Sequence, residues 1–335
     1  MLLAANQTLP ALPVPVTNNA VAMVTIENGA WLMSFGGLAE GKQWHDTLAH
    51  TYVLAPGADQ WQRKSTIPDG RGRLAAVAVA VNDSAYVFGG YTVAADHSEV
   101  SLPYAHRYDP RTDHFERLSD MPVPVDDAVA VTYSQRYIYL VSGWHDKGNV
   151  NLVQMYDIQE DLWAQATPYP GNPVFGHAGG IVANQMVICD GVKIRIRAVG
   201  KREFVMDNAC FAGTIDQAQP RTIDWRPIHP HPGKPRYRMA AGGSSTFGGV
   251  LFAGGSTNPY NYNGIGYNGE PAEPESGFLL FDVTGGNWRH AGSMAMPSMD
   301  HRGLLIDAHR VITVGGMHAA QQVTPRVQVF GYQGR

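Results

Sequence analysis

Side chains that can transfer protons or bind anions recur at one kind of position in this sequence, directly before short apolar segments. They are Arg73, Asp126 and Asp127, His177, Arg236 and Arg238, and His301 with Arg302. Histidine and aspartate are common general acids and bases, so His301 and Asp127 are candidates for proton transfer. Arginine binds carboxylates through paired hydrogen bonds, and strand alternation would place Arg236 and Arg238 on one side. These positions predict a site for an acidic small molecule.

Three loops carry further polar and aromatic candidates. His145 lies in Trp144-His145-Asp146, and Arg195 lies in a basic segment after Gly191. The longest loop contains Tyr260, Asn261 and Tyr262 within a run rich in tyrosine and asparagine. Aromatic faces and side-chain amides suit stacking and hydrogen bonding to a sugar. Loops of this length are usually functional or disordered, and this composition favours an ordered one.

The same residues also allow structural interpretations. Charges at the start of repeated units can tie one unit to the next, and His177, beside Gly176 and Gly179, can simply fill the central channel. The tyrosine- and asparagine-rich loop can be a plug held by its own hydrogen bonds. Arg236 and Arg238 are the pair for which a purely structural role is least expected, because two adjacent cations favour an anion.

Several other chemistries lack their sequence patterns. There is no Cys/His cluster at zinc spacing, no Gly-x-Ser-x-Gly elbow and no phosphate-binding Walker loop. We therefore expect no metal and no cofactor.

A repeated sequence pattern must position these residues. An apolar run ends in a pair of small residues six times, at steps of about fifty residues: Gly36-Gly37, Gly89-Gly90, Ser142-Gly143, Asp190-Gly191, Gly254-Gly255 and Gly315-Gly316. Each pair should end a strand where backbones approach closely. An internal repeat of this period predicts one closed domain over residues 1–335.

Each repeat has the pattern of four strands. An apolar inner strand comes first, for example over residues 74–79, and the strand that ends at the small pair follows. Two aromatic strands complete the unit, with aromatic residues seven apart on either side of a turn: Tyr108 and Phe115, Tyr156 and Trp163, Phe281 and Trp288. No helical period stands out. The sixth repeat lacks its last strand, so we expect residues around 2–10 to supply it and close the ring.

These offsets of Gly-Gly, Tyr or Phe, and Trp resemble the kelch repeat, and the resemblance covers nearly the whole chain. It implies an all-β, six-bladed β-propeller whose last blade is closed by the N-terminal strand. Kelch rings include protein-binding scaffolds and enzymes, among them galactose oxidase, whose Cys–Tyr crosslink and copper ligands have no persuasive match here.

Among kelch enzymes, the chain most resembles the bacterial N-acetylneuraminate epimerases. That resemblance implies a periplasmic isomerase that interconverts anomers of sialic acid, with the acidic sugar held by Arg236 and Arg238 and packed by Tyr260, Asn261 and Tyr262. The family's catalytic carboxylate would follow Gly191, where this chain has Val192. The alternative is a propeller that binds a carbohydrate or a protein without catalysis.

Composition limits the remaining possibilities. The net charge is −4 and no basic run stands out, which argues against nucleic-acid binding. No apolar stretch approaches the roughly 20 residues of a membrane span. We expect a monomer or a weak homodimer. Cys189 and Cys210 can pair across a hairpin or remain two buried thiols, and the sequence favours the thiols.

Overall fold

The computed structural model describes residues 1–4, 8–27, 29–198 and 200–332. Within these ranges the chain is almost entirely β-structure, arranged as six four-stranded blades in a ring. The all-β six-bladed propeller predicted from the repeat is confirmed. Helical structure in the described ranges is limited to two short 3-10 turns, Trp44–Asp46 and Ala319–Gln321.

The first three blades follow the N-terminal strand β1 (Leu2–Ala4) in chain order. Blade one comprises β2 (Ala20–Ile26), β3 (Gly29–Phe35), β4 (Thr51–Leu54) and β5 (Gln62–Lys64). Blade two contains β6 (Val77–Val81), β7 (Ser84–Phe88), the loop hairpin β8 (Tyr91–Val93) and β9 (Glu99–Ser101), β10 (Ala105–Asp109) and β11 (His114–Arg117). Blade three contains β12 (Val129–Tyr133), β13 (Tyr137–Val141), the loop hairpin β14 (Trp144–His145) and β15 (Gly148–Asn149), β16 (Val153–Asp157) and β17 (Leu162–Gln165).

The last three blades repeat this plan. Blade four contains β18 (Ala178–Val182), β19 (Gln185–Cys189), the loop hairpin β20 (Val192–Ile196) and β21 (Arg202–Met206), β22 (Cys210–Ile215) and β23 (Ile223–Ile228). Blade five comprises β24 (Ala240–Ser244), β25 (Gly249–Ala253), β26 (Gly277–Asp282) and β27 (Asn287–Ser293). Blade six contains β28 (Leu305–Ile306), β29 (Arg310–Val314), the loop hairpin β30 (Met317–His318) and β31 (Gln322–Val323), and β32 (Val327–Tyr332).

The N-terminal strand closes the ring, as the incomplete sixth repeat predicts. Strand β1 pairs antiparallel with β32 as the outer strand of blade six. It also contacts β27 of blade five through a parallel bridge between Leu2 and Gly292, so the two blades form one eight-stranded sheet. The strand is shorter than the predicted segment 2–10, of which residues 5–7 lie outside the described residues.

The predicted aromatic pairs lie directly opposite each other across the outer hairpins. Tyr108 faces Phe115, Tyr156 faces Trp163, and Phe281 faces Trp288 in the strand register. The aromatic rings then pack against the neighbouring blade, as the edge-on contacts of Phe35 with Tyr108 and of Phe88 with Trp163 show. Such aromatic pairs contribute about 0.5–1.5 kcal/mol beyond the area that they bury.

A belt of backbone hydrogen bonds joins the blades around the axis. One residue before each inner strand has a left-handed backbone, with φ between 49° and 68°: Asn18, Ala75, Asp127, Gly176, Arg238 and Asp300. Around the ring, the backbone amide of one such residue donates to the backbone carbonyl of its counterpart in a neighbouring blade, at 2.8–3.4 Å. Between blades five and six the donor is the amide of His301, which bonds to the carbonyl of Arg238. The inner strand of blade two was predicted over residues 74–79. It begins only at Val77, because the left-handed backbone of Ala75 turns the chain.

A disulfide bond joins Cys189 and Cys210, so the expectation of two free thiols was wrong. The two cysteines are direct partners in the antiparallel pairing of β19 with β22, and their Cα atoms lie 4.2 Å apart. At that separation the two sulfur atoms meet inside the blade.

Removal of this disulfide should destabilise blade four. The bond closes a segment with a sequence separation of 21, and closing a loop of that length restricts the unfolded chain by about 3 kcal/mol. We expect the double variant Cys189→Ala/Cys210→Ala to lose stability of that order in chemical unfolding. The wild-type protein under reducing conditions should match the variant; an unchanged unfolding midpoint after confirmed reduction would contradict the prediction.

Candidate functional site

Four charged side chains meet on the axis, beside the belt. Arg238 donates to Asp127, with Nη2 2.5 Å from Oδ2, and to Asp300, with Nη1 2.9 Å from Oδ1. Arg302 lies 2.8 Å from Asp127 and also donates to Asn18 at 2.7 Å. The four charged side chains are at most 3% exposed. We call Asp127, Arg238, Asp300 and Arg302 the axial ion cluster.

The charges of the axial ion cluster balance. Burial alone would raise the pKa of Asp127, but Arg238 and Arg302 hold that pKa below its ordinary value. Burial alone would likewise lower the pKa of Arg238, whereas Asp127 raises it well above its ordinary value. Asp127 and Arg238 therefore stabilise each other's charged forms, as a buried ion pair requires.

A channel along the axis reaches the axial ion cluster from one side. It has a volume of about 350 Å³ and is lined by the inner strands and, near the belt, by Asp127, His177, His301 and Arg302. At the opposite end it runs between the turns of the inner hairpins, where Thr132 and Ile306 belong to its wall. The channel thus brings together the two predicted catalytic residues and two of the predicted binding residues.

Both histidines of the channel are uncharged at neutral pH. Burial lowers the pKa of His177 to about 4 and that of His301 to about 4. The Nε2–H group of His177 donates to the carbonyl of Val141 at 2.9 Å, which leaves Nδ1 as a hydrogen-bond acceptor. Nε2 of His301 lies 2.9 Å from Oγ of Ser298. A neutral imidazole of this kind can accept a proton from a hydroxyl group.

The long loop of blade five covers the other side of the cluster. Tyr260 is fully buried, and its hydroxyl donates to Asp300 at 3.4 Å. Tyr267 stacks on Phe204 of blade four, and Tyr262 lies 3.1 Å from His97 of blade two. Hydrogen bonds within the loop, such as those from the side chain of Asn258 to Asn268 and Glu270, hold it together. The loop has the features of the predicted plug.

Arg236 and Arg238 do not share a side, which corrects the expectation from strand alternation. Strand β24 begins only at Ala240, and Arg238 has a left-handed backbone with φ of 55°. The guanidinium group of Arg236 therefore donates to the carbonyls of Gly254 and Gly277, away from the axial ion cluster.

The remaining predicted site residues lie apart from the channel. Arg73 is fully buried and pairs with Asp69 at 2.6 Å. Arg195 is exposed and pairs with Glu203. His145 donates to the carbonyl of Pro124, and Asn261 is an exposed residue of the plug. The structure does not bring these residues together.

Two carboxylates near the axis were missed by the sequence reasoning. Asp300 directly precedes His301, and alignment of the six left-handed positions would have found it. Glu99 lies on the loop hairpin of blade two, where it interacts electrostatically with Arg238, Tyr262 and Tyr267. Desolvation by the surrounding loops raises the pKa of Glu99, although part of its side chain reaches the solvent. No local pattern marks that position.

Comparison with known proteins agrees with this architecture. Residues 72–122, which span the start of blade two to its exit, match the kelch motif. The chain carries a kelch motif and folds as a six-bladed β-propeller. The kelch resemblance inferred from the glycine pairs and aromatic spacing is therefore confirmed.

Two groups of relatives match this chain. Kelch-like protein 15 of Gallus gallus is 33% identical over 142 residues, which cover 42% of the chain and 28% of the relative. N-acetylneuraminate epimerase of Salmonella enteritidis is 23% identical over 96% of the chain and 90% of the relative. The solved structure of YjhT superimposes with a TM-score of 0.76 over 98% of each chain, at 16% identity, which shows a common fold.

Two other classes of site have no counterpart among the described residues. No group of three or more His, Cys, Asp or Glu side chains among them is arranged to hold a metal ion. No helix in these ranges is long and apolar enough to cross a membrane.

A second buried pair positions the segment that carries Arg236. His231 Nε2 lies 2.7 Å from Oδ2 of Asp190, and its Nδ1 lies 3.0 Å from the carbonyl of Pro232. Both ring nitrogens face oxygen atoms, so a protonated imidazole can donate to both. Burial alone would lower the pKa of His231, but the hydrogen bond to Asp190 raises it. The same carboxylate accepts the amide of Arg236 at 2.7 Å.

Neutralising one charge of the axial ion cluster should be costly. The variant Asp127→Asn leaves an unbalanced buried guanidinium group, a change that typically costs about 3–5 kcal/mol. The double variant Asp127→Asn/Arg238→Gln removes one charge of each sign and should be less destabilised than Asp127→Asn alone. Urea unfolding of the wild type and the two variants measures their free energies of unfolding. A double variant that is less stable than the single variant would contradict the prediction.

Stability should depend on the charge of His231. Because its pKa is raised in the folded protein, its contribution is complete below the unfolded pKa of about 6.5 and is lost as pH rises through the folded value. We expect the unfolding free energy of the wild type to fall over this range relative to that of His231→Gln. Parallel pH profiles for the two proteins would rule out a charged His231.

Proposed function

We propose that this kelch propeller is carbohydrate-active and that its sugar ligand occupies the inner end of the axial channel. The observation that supports the proposal is the convergence of Asp127, His177, His301 and Arg302 at the end of one channel. The channel volume of about 350 Å³ falls within the range of about 300–1,000 Å³ that is usual for small-molecule sites.

The chemistry of the channel suits hydroxyl groups. Nδ1 of His177 can accept a hydrogen bond, and the guanidinium group of Arg302 can donate one, while the inner strands offer small apolar residues such as Ala128 and Ala130. A pyranose has both hydroxyl groups and apolar ring faces. Such a ligand would satisfy the polar end of the channel and pack against its wall.

The specific activity that we propose is the mutarotation of a sialic-acid-type sugar. Similarity to N-acetylneuraminate epimerase over 96% of the chain favours this activity. His301 or Asp127 would accept the proton of the anomeric hydroxyl while the bond from the anomeric carbon to the ring oxygen breaks. The protonated base would pass this proton to the ring oxygen, which becomes a hydroxyl group as the anomeric carbon becomes a carbonyl. Attack of that hydroxyl group on the other face of the carbonyl, with the reverse proton transfer, would close the ring and regenerate the base. Each proton-transfer group typically contributes about 10²- to 10⁴-fold.

The second candidate is a propeller that binds its sugar or a protein without catalysis. The observation that favours it is the pairing of Asp127 with two arginines, which lowers its pKa and makes it a weak base. The similarity to kelch-like protein 15, over 42% of the chain, is compatible with such a role. Turnover distinguishes the two candidates.

We further propose a periplasmic location. A disulfide between Cys189 and Cys210 is typical of oxidising compartments. The similarity to a Salmonella epimerase supports a bacterial setting of that type.

Anomer exchange tests the proposed activity. We expect the purified protein to accelerate exchange between the anomers of N-acetylneuraminate, followed by NMR, and His301→Ala to reduce that acceleration at least tenfold. Leu162→Gln, at an exposed position far from the channel, is the matched control and should behave as the wild type. Saturation-transfer signals without acceleration would support the non-catalytic candidate, and absence of both would contradict the proposed function.

A further inference from the structure

A groove lies between blades three and four, on the face that carries the turns of the inner hairpins. It consists of two adjoining depressions with volumes of about 570 and 540 Å³, both of which are lined by Tyr137, Ala218 and Pro220. None of the residues that line the groove also lines the axial channel. We propose that this groove is a second carbohydrate site, beyond the axial site of the proposed function, and that it binds an oligosaccharide.

The aromatic side chains of the groove come from blade three. Tyr133 and Tyr137 are direct partners in the antiparallel pairing of β12 with β13, so their side chains lie next to each other on one face of the blade. Both line the groove, and both are only partly buried. Two neighbouring aromatic rings that solvent can reach offer faces on which pyranose rings can stack.

The polar lining of the groove consists largely of side-chain amides. Gln135, Gln159 and Gln217 line one depression, and Gln165 and Gln219 line the other. Within the described part of the chain, the exposed side chains of Gln159, Gln217 and Gln219 form no hydrogen bond, so their amides are available to a ligand. An amide presents donors and an acceptor together, as a sugar hydroxyl group requires.

The charge and the apolar content of the groove favour a sugar over a peptide. Arg136 donates to Asp157 from Nε at 2.9 Å and from Nη2 at 2.6 Å, and it stacks over Tyr137 at 5.1 Å from the ring centroid. This cation therefore has its counter-charge within the protein. Protein partners are usually held by large side chains in desolvated apolar pockets, which the amide-rich lining does not provide.

The wall from blade four is held in place by blade three. The carbonyl of Pro220 accepts the hydroxyl group of Tyr139 at 2.7 Å, and the carbonyl of Arg221 accepts the amide of Thr167 at 2.8 Å. Asp216 accepts two backbone amides of the same loop. A preformed groove has less ordering entropy to lose when it binds a ligand.

The size of the groove indicates more than one sugar unit. Each depression lies within the range of about 300–1,000 Å³ that is usual for small-molecule sites. Because the two depressions share a wall, one ligand can occupy both only if it is longer than a monosaccharide. An oligosaccharide meets this condition.

Soluble oligosaccharides test the ligand class. Saturation-transfer NMR and isothermal titration would examine maltotetraose, cellotetraose, chitotetraose and 3′-sialyllactose on the full chain, with decaproline as a peptide probe. We expect at least one oligosaccharide to bind, at least tenfold more tightly than its constituent monosaccharides. Failure of all the oligosaccharides to bind, equal binding of the monosaccharides, or binding of decaproline alone overturns the proposal.

Two variants, each with a matched control, test the place of binding. Tyr133→Ala removes a stacking face and should weaken binding at least tenfold, whereas Tyr133→Phe keeps the ring and should stay within about threefold of the wild type. Ala218→Trp fills the wall that both depressions share and should abolish binding, whereas Thr112→Trp, at an exposed outer turn, should leave binding unchanged.

The exposed position of Ala218 keeps the test valid should Tyr133→Ala fail to fold. Wild-type affinity in folded Ala218→Trp overturns the proposal, because the oligosaccharide would then bind elsewhere. Anomer exchange by the wild type is measured separately, so failure of the groove is distinguishable from failure of the proposed function.

Discussion

Six peptide groups, one from each blade, hold this propeller together by bonding to one another around the axis. The bonds form only because one residue per blade adopts a left-handed backbone, a conformation that costs an ordinary L-residue about 1–2 kcal/mol. Asn18, Asp127 and Asp300 tolerate it comparatively well, and Gly176 adopts it freely, but Ala75 and Arg238 do not. The hydrogen bonds of the closed belt compensate for that strain, so the backbone itself sets the geometry at the axis.

The belt also determines which side chains can act. It brings residues that lie far apart in sequence so close together that their charges must pair, as Asp127 does with Arg238 over a separation of 111 residues. Most of the polarity at the axis is therefore used internally. His177 and His301 differ, because each is neutral and lines the channel. The close approach of the six blades thus leaves some polar groups paired with each other and others facing the channel.

Local patterns predicted the blades well. Glycine pairs and aromatic residues seven apart are determined by the strand and turn that contain them, and Ser142 takes the place of a glycine because its hydroxyl bonds to the carbonyls of Val150 and Val174. The site was harder to predict. The axial grouping of Asp127, His177, His301 and Arg302 followed from the repeat, but the partners of Arg236 depend on where β24 begins. The interactions of Glu99 depend on loops from several blades, which no spacing in the sequence reveals.

The closing strand β1 has a consequence for the order of synthesis. Its residues precede all six inner strands in the chain, whereas their partners in β27 and β32 follow most of the blades. Before β1 pairs with them, the ring is open and has unpaired strands at its edges. Such edges can pair with those of neighbouring molecules. In such a molecule the closing strand can pair only after β27 and β32 have been made, so closure of the ring joins segments that are far apart in the chain.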